Sequence, residues 1–475
     1  MSLAAFNRKP GASRRRLVKG MAGAVVAAAL PLARSRAATL PRVAIIGGGM
    51  AGVACAWLLD GVCDVRLFEA RGSLGGNVRT LPLTLGGQTR AVDLGAQYFH
   101  PGPYPTYVQL LEQLGLWPLA TGEARAFTAS ITLDAPNESL PRFVSPILPG
   151  RTWPLFADWN KPAVQAFRTT FNAARRREQN GASWQLPMAE WLATLPITPA
   201  QADTFIIPWA AALNSGDVTQ TAGLSARSLM VFAAGALPDS PLDPIVYYVL
   251  ERGMIEPLNR MVAQLTTAQI ATGTAVDAVA PAAGGGGYVV QPHQGPAQQV
   301  DAVVFAASGP PTLALLQGLP GTTLARNALQ DIGFYPARLA LHADPAFAPA
   351  DPAWWSFLNC RADGNFCEAS MWLDAVLGVE GLWKSWITHR APPQQLLLAS
   401  ADFLHFAPSP AAIKAQRVLA TQQGRNGLWF AGGYTLPFDS QETALLSALT
   451  VAEGFAGGSA RTRLLRRRPA PDFSA

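Results

Sequence analysis

The apolar, β-branched run Val43 to Ile46 stops at a glycine turn, as a strand buried on both faces would. Val53 to Leu59 then reads as a helix and Asp64 to Glu69 as the next strand, so the chain opens with a βαβ unit. Strand patterns return downstream at Val276 to Val279, Tyr288 to Gln291 and Val300 to Ala306, the first two separated by Gly284 to Gly287. They predict the second half of a similar domain. Gly427 to Gly433 reads as a strand ending in a glycine turn, and Gln441 to Gly454 as a helix. Two insertions lie between these blocks. Residues 100–245 are rich in Pro and Trp, with helical stretches at Lys161 to Gln179 and Ala189 to Leu195, while 311–409 is strand-like at Arg338 to His342 and Phe366 to Leu373. The expected class is α/β. A discontinuous Rossmann-like domain (39–99, 246–310 and 410–458) is interrupted by an α+β substrate domain (100–245 and 311–409), with no internal repeat.

The turn itself carries chemistry. Gly47-x-Gly49-x-x-Gly52 follows a strand and opens a helix, and Glu69 closes the next strand. The first glycine permits the tight turn, the second admits a pyrophosphate to the backbone, and the third lets the helix pack on the strand. The helix start, with Met50 and Ala51, offers free N–H groups and partial positive charge to phosphates. Glu69, followed by Ala70 and Arg71, stands where an acid accepts hydrogen bonds from ribose hydroxyls.

Charge removes one class of partner. The net charge of +6 is made at the ends: residues 1–38 hold eight basic residues and no acid, and 461–475 hold five arginines against one aspartate. The body between them carries 24 Lys and Arg against 30 Asp and Glu, so no nucleic-acid partner is expected. The last segment, 459–475, reads as a solvated basic tail. The leader Ser13-Arg-Arg-Arg-Leu-Val-Lys19, an apolar stretch from Met21 to Leu32 and Ser35-Arg-Ala37 have the organisation of a secretory signal. It resembles the bacterial twin-arginine signal over 1–37, which implies export of a folded, cofactor-loaded protein to the periplasm by the twin-arginine machinery. No apolar run approaches the roughly 20 residues of a membrane span. Neither Cys55, Cys63, Cys360 and Cys367 nor the five histidines show ligand spacing, so no metal site is expected. Asp363-Gly364 is a hairpin signal that sets Cys360 opposite Cys367, as a disulfide or as two packed thiols.

Further motifs narrow the cofactor. Arg71-Gly-Ser-Leu-Gly75-Gly76-Asn77-Val-Arg79-Thr80, Val92-Asp-Leu-Gly95-Ala96-Gln97-Tyr98-Phe99, and Phe430-Ala-Gly432-Gly433-Tyr434 with Glu442-Thr443-Ala444-Leu-Leu-Ser447 resemble the flavin-containing amine oxidase superfamily. The resemblance implies FAD. Gly75, Gly76 and Asn77 would line the diphosphate, Gly95, Ala96 and Gln97 the ring, and Val276 the adenine side, with Gly432, Gly433, Tyr434, Thr443 and Ala444 in the C-terminal flavin motif. Asp439 is expected to cap the last helix, with Glu442 closing a capping box.

Three departures argue against an amine substrate. Gly433 replaces an acid, Ser440 replaces an aromatic wall, and no lysine stands near His342-Ala343, where the superfamily holds a water by the flavin's reactive nitrogen. Tyr104-Pro105, Leu341-His342-Ala343-Asp344, Trp354-Trp355 and the Gln441-to-Ser447 ending resemble a bacterial subgroup of FAD-dependent oxidoreductases whose relatives occur beside cyclopropane fatty-acid synthases. That implies a small or lipid-like apolar substrate giving up a hydride. A flavin-dependent reductase or isomerase, and a non-catalytic flavin-binding partner of a lipid or redox system, remain alternatives. Gln97 and Tyr98 are candidates to face the ring, His342 to accept a proton, and Trp372 to wall the pocket.

Overall fold

A computed structural model describes residues 40–85, 87–145, 157–238, 243–456 and 459–465. The leader at 1–37 and the tail from 466 onward lie outside the described residues. At the centre is a five-stranded parallel sheet in the order Leu428–Phe430, Ala302–Phe305, Arg42–Ile46, Asp64–Phe68, Gln269–Ala271. Arg42–Ile46 sits in the middle and its side chains alternate between two cores. Val43 and Ile45 pack with Val53, Leu58, Leu445 and Leu449, and Ala44 and Ile46 with Phe305, Leu329 and Leu419. Every residue of the helix Met50–Leu59 is buried, because the sheet covers one side and the helix Gln441–Ala456 the other; a helix apolar all round needs such a position.

The downstream strands divide differently from expectation. Val276–Pro281, Tyr288–Pro292 and Gln298–Val300 form a separate antiparallel sheet, and only Ala302–Phe305 joins the parallel one. The break falls at Asp301, whose carboxylate accepts from the Arg42 backbone N–H at 2.8 Å and from its guanidinium at 2.7 Å. A polar residue tied to the first strand ends one sheet and starts the other.

The second large element is a seven-stranded mixed sheet, ordered Leu397–Phe406, Phe334–His342, Trp383–Trp386, Phe366–Trp372, Leu358–Asp363, Ile131–Asp134, Phe143–Val144. The helices Lys161–Gln179, Ile207–Ala212 and Ala226–Ala236 share its core. In its hairpin Asp363 pairs Phe366, so the turn is Gly364-Asn365, one residue later than expected. Cys360 then faces Ala369 and Cys367 faces Ala362, and both are free, buried thiols.

The start of Gln441–Ala456 also differs. Ser440 is the cap: its hydroxyl accepts from the Thr443 N–H at 3.1 Å, and the Thr443 hydroxyl accepts from the Ser440 N–H at 3.1 Å. Asp439 is turned to His405 instead. Glu442 is fully buried and reaches a different helix, accepting from the N–H groups of Thr106 (3.1 Å) and Tyr107 (2.7 Å) at the start of Pro105–Gln113. A carboxylate there satisfies two otherwise unpaired donors and complements the helix dipole. Burial raises its pKa to about 7, opposed by the Thr106 and Tyr107 hydrogen bonds. Glu442→Ala strands both donors. It is expected to cost about 2–4 kcal/mol, seen as a lower midpoint in denaturant unfolding; an unchanged midpoint would show that the clamp contributes nothing.

Candidate functional site

One continuous cavity of about 2120 Å³ runs from the glycine turn at 47–49, past Gly95 and Gly433, to the helices Lys161–Gln179 and Ala226–Ala236. Small-molecule pockets usually measure roughly 300–1,000 Å³, so this space has room for a cofactor and a substrate end to end.

The dinucleotide end is built from backbone. Gly49 caps Met50–Leu59 with no side chain over the helix start, and Met50 and Ala51 line the cavity. Gly52 does not line it; a Cβ there would stand 1.9 Å from the Gly47 carbonyl oxygen, so its role is to let the helix close on the turn. Gly75 lies beside Gly49 in a parallel bridge, donates to the Gly48 carbonyl at 2.9 Å, and adopts φ +134°, a region that favours glycine. Glu69 is pinned by the N–H groups of Gly48 (2.6 Å) and Arg71 (2.9 Å), one on each carboxylate oxygen, which leaves lone pairs for ribose hydroxyls. Ala70, Arg71, Gly76, Asn77 and Val276 line the same end.

At the middle, Gly95, Ala96 and Gln97 stand across from Gly432, Gly433, Tyr434 and Ala444, all on the cavity wall. Gln97 Oε1 is buried without a hydrogen-bond partner among the described residues. Thr443 does not line the cavity. Its hydroxyl is spent on the Ser440 cap and on the Phe438 carbonyl, to which it donates at 2.8 Å.

The roof is one face of the seven-stranded sheet. Ile131, Leu358, Met371 and Lys384 form a row of directly paired residues across four strands, and all line the cavity. Successive strand residues face opposite sides, so His342, beside Leu341, and Trp372, beside Met371, point away. Both expectations for them are therefore corrected. His342 is buried on the far face; its Nδ1 accepts from the Asp344 N–H at 3.0 Å, so Nε2 donates to the Ser385 hydroxyl at 2.8 Å. Burial lowers its pKa to about 4 and keeps it neutral. Trp372 stacks on Trp383 at 6.3 Å and edges against Trp355. Tyr98 does line the cavity, in an aromatic cluster with Phe127, Phe232, Tyr247 and Phe357.

Two elements escaped the sequence. One is Lys384, one strand over from His342-Ala343 and paired with Leu341. It is 2% exposed, and its Nζ donates to the carbonyls of Asp93 (3.1 Å) and Gly95 (2.9 Å). Burial lowers its pKa, opposed by the Asp93 carboxylate, whose own pKa burial raises against hydrogen bonds from Thr80 and Met254. The other is His405, whose Nδ1 lies 2.8 Å from Asp439 Oδ2, both residues lining the cavity.

Known proteins agree with this architecture. Residues 45–114 match the NAD(P)-binding Rossmann-like domain family. A putrescine oxidase with redesigned cofactor binding superposes at TM-score 0.62, with 13% identity over 88% of this chain and 99% of that one. A fatty acid isomerase from P. acnes that produces CLA gives 0.61, with 13% identity over 87% and 99%. Cyclohexylamine oxidase from Brevibacterium oxydans gives 0.59, with 14% identity over 90% and 100%. No curated protein matches the chain. At such identities the likeness establishes the fold, that of the flavin amine oxidases.

Proposed function

We propose that this chain is an FAD-dependent oxidoreductase that takes a hydride from a small or lipid-like apolar substrate, after export to the periplasm by the twin-arginine route. The observation that carries the reading is the continuity of the cavity, in which a backbone cradle for a diphosphate opens into an apolar chamber. The second glycine pair at 75–76 and the Gly95 segment extend the cradle beyond what a nucleotide alone requires. These residues fit FAD. When bound, the flavin supplies a two-electron acceptor.

The protein's own contribution is position and charge. The helix start at Met50 and Ala51 would hold phosphates, and Glu69 would hold the ribose. Lys384, with two of its three donors committed to Asp93 and Gly95, keeps one donor for a bound group. Phe167, Phe171, Trp209, Phe232 and Phe357 give the far end apolar walls suited to an alkyl or ring substrate, beside the polar lining of Arg168, Asn172 and Arg175. Export rests on the leader sequence, since a protein loaded with FAD in the cytoplasm needs a route that carries it folded.

An isomerase, in which the flavin cycles without net oxidation, is the second reading; the likeness to a fatty acid isomerase favours it. Anaerobic mixing with candidate substrates decides. Lasting bleaching of the visible flavin band identifies hydride removal, and product without lasting bleaching identifies isomerisation. A flavin that no substrate alters would leave only a binding partner.

A further inference from the structure

We propose that His405 and Asp439 form a proton-accepting dyad in the cavity, and that the substrate carries a hydroxyl on the carbon that loses the hydride. The proposal rests on the flavin reading above. His405 comes from the last turn-out of the strand Leu397–Phe406 and Asp439 from the segment before Gln441–Ala456, and both line the cavity. The Nδ1 to Oδ2 distance is 2.8 Å. A carboxylate oxygen accepts from Nδ1–H, the tautomer that places the lone pair of an uncharged imidazole on Nε2. Nε2 has no partner among the described residues. The ring is held in place by Tyr335, stacked at 5.9 Å, with Trp386 at 5.9 Å and Phe403 at 6.3 Å. An orienting carboxylate, the tautomer it selects and an Nε2 without a protein partner, on a residue that lines a cavity, are the parts of a general base.

The dyad also gives a reason for two departures in the sequence. A Cβ on Gly433 would stand 2.8 Å from Asp439 Oδ1, so an acidic side chain at 433 would crowd and repel that carboxylate. Ser440, where an aromatic wall was expected, caps the helix and leaves the adjoining Asp439 free to meet His405. Trp386, against His405, and Lys384 are two residues apart on one strand and share the cavity face. The dyad and the lysine therefore belong to the same wall.

An amine nitrogen can expel a hydride from its neighbouring carbon using its own lone pair. A hydroxyl must also lose its proton, and so needs a base. In the proposed step the O–H proton passes to His405 Nε2 and the C–O bond becomes C=O. The C–H bond breaks with its electron pair going, as hydride, to the oxidised flavin. His405 is left as an imidazolium beside Asp439.

Two measurements on the holoprotein test this. Nitrogen NMR of histidine-labelled protein near neutral pH is expected to show His405 protonated at Nδ1 and bare at Nε2, a preference lost in Asp439→Asn. An Nε2-protonated ring, or no change in the variant, overturns the dyad. In anaerobic mixing, a series of long-chain secondary alcohols is expected to bleach the flavin faster than the matched amines. His405→Asn should keep its flavin but bleach about 100-fold more slowly or worse, and added imidazole should restore part of the rate to His405→Ala. Equal rates in wild type and His405→Asn, or amines outrunning alcohols, overturn the assignment. Protein purified without flavin would defeat the cofactor reading instead, while the tautomer measurement would still report on the dyad.

Discussion

Gly52→Val is expected to yield protein without cofactor. Any side chain at 52 meets the Gly47 carbonyl oxygen at 1.9 Å, a distance no rotamer change relieves because both partners are backbone. Either the helix Met50–Leu59 lifts off the parallel sheet or the turn at 47–49 unfolds, and both remove the N–H groups that face the cavity. The helix is buried along its whole length between the sheet and Gln441–Ala456, so it cannot shift without opening that core. The strain is expected to cost roughly 3 kcal/mol or more. Cofactor affinity should fall at least 100-fold, about 2.7 kcal/mol. Visible absorbance of the purified variant and a thermal melt read the two effects separately. A yellow Gly52→Val protein with wild-type melting would show that the close approach of helix to turn is not what forms the cradle.

Lys384→Met is expected to do the reverse: keep the flavin and lose the chemistry. Methionine matches the length of the lysine stem and removes only the charged tip that donates to Asp93 and Gly95. The variant leaves the Asp93 and Gly95 carbonyls without their donor and the buried Asp93 carboxylate without its positive neighbour, so a loss of about 2–4 kcal/mol in stability is expected, read in a thermal melt of the flavin-loaded protein. Substrate-driven flavin reduction should slow about 100-fold, since a positioned proton-bearing group near the ring contributes on that scale. Burial lowers the Lys384 pKa and the buried Asp93 carboxylate opposes it, so the two groups titrate as a pair below the usual lysine range. The rate profile of wild type should therefore carry an inflection below the usual lysine range that Lys384→Met lacks. Rapid-mixing measurements across pH check this. Rates within twofold of wild type, with the inflection kept, would remove Lys384 from the account.

What could be read from residues alone follows the range of the interactions. The strand, turn and helix at 43–59 are specified by neighbours in sequence, so their place was legible, as were the glycines that face the cavity. Lys384 and His405 reach it through strand register, set by pairings such as Leu341 with Lys384 and Tyr335 with His405 that no local pattern announces. Which face His342 and Trp372 take was not legible for the same reason. One step along a strand exchanges cavity for far face, and an apolar strand buried on both sides gives no hint of which is which. The hairpin at 364–365 and the cap at Ser440 each differ from expectation by one residue, because neighbouring side chains (Asp363 and Gly364, Asp439 and Ser440) could both serve and tertiary contacts chose. A carboxylate already held by His405 is not free to cap a helix.

Beyond these residues, the account depends on the cofactor. Its most direct test is the visible spectrum of protein purified after folding in its own cytoplasm, joined to mass spectrometry of the molecule released on denaturation. The expected result is a yellow protein that releases stoichiometric FAD, bound tightly enough to survive desalting. A colourless protein, or one that releases a nicotinamide dinucleotide from the same cradle, would contradict it.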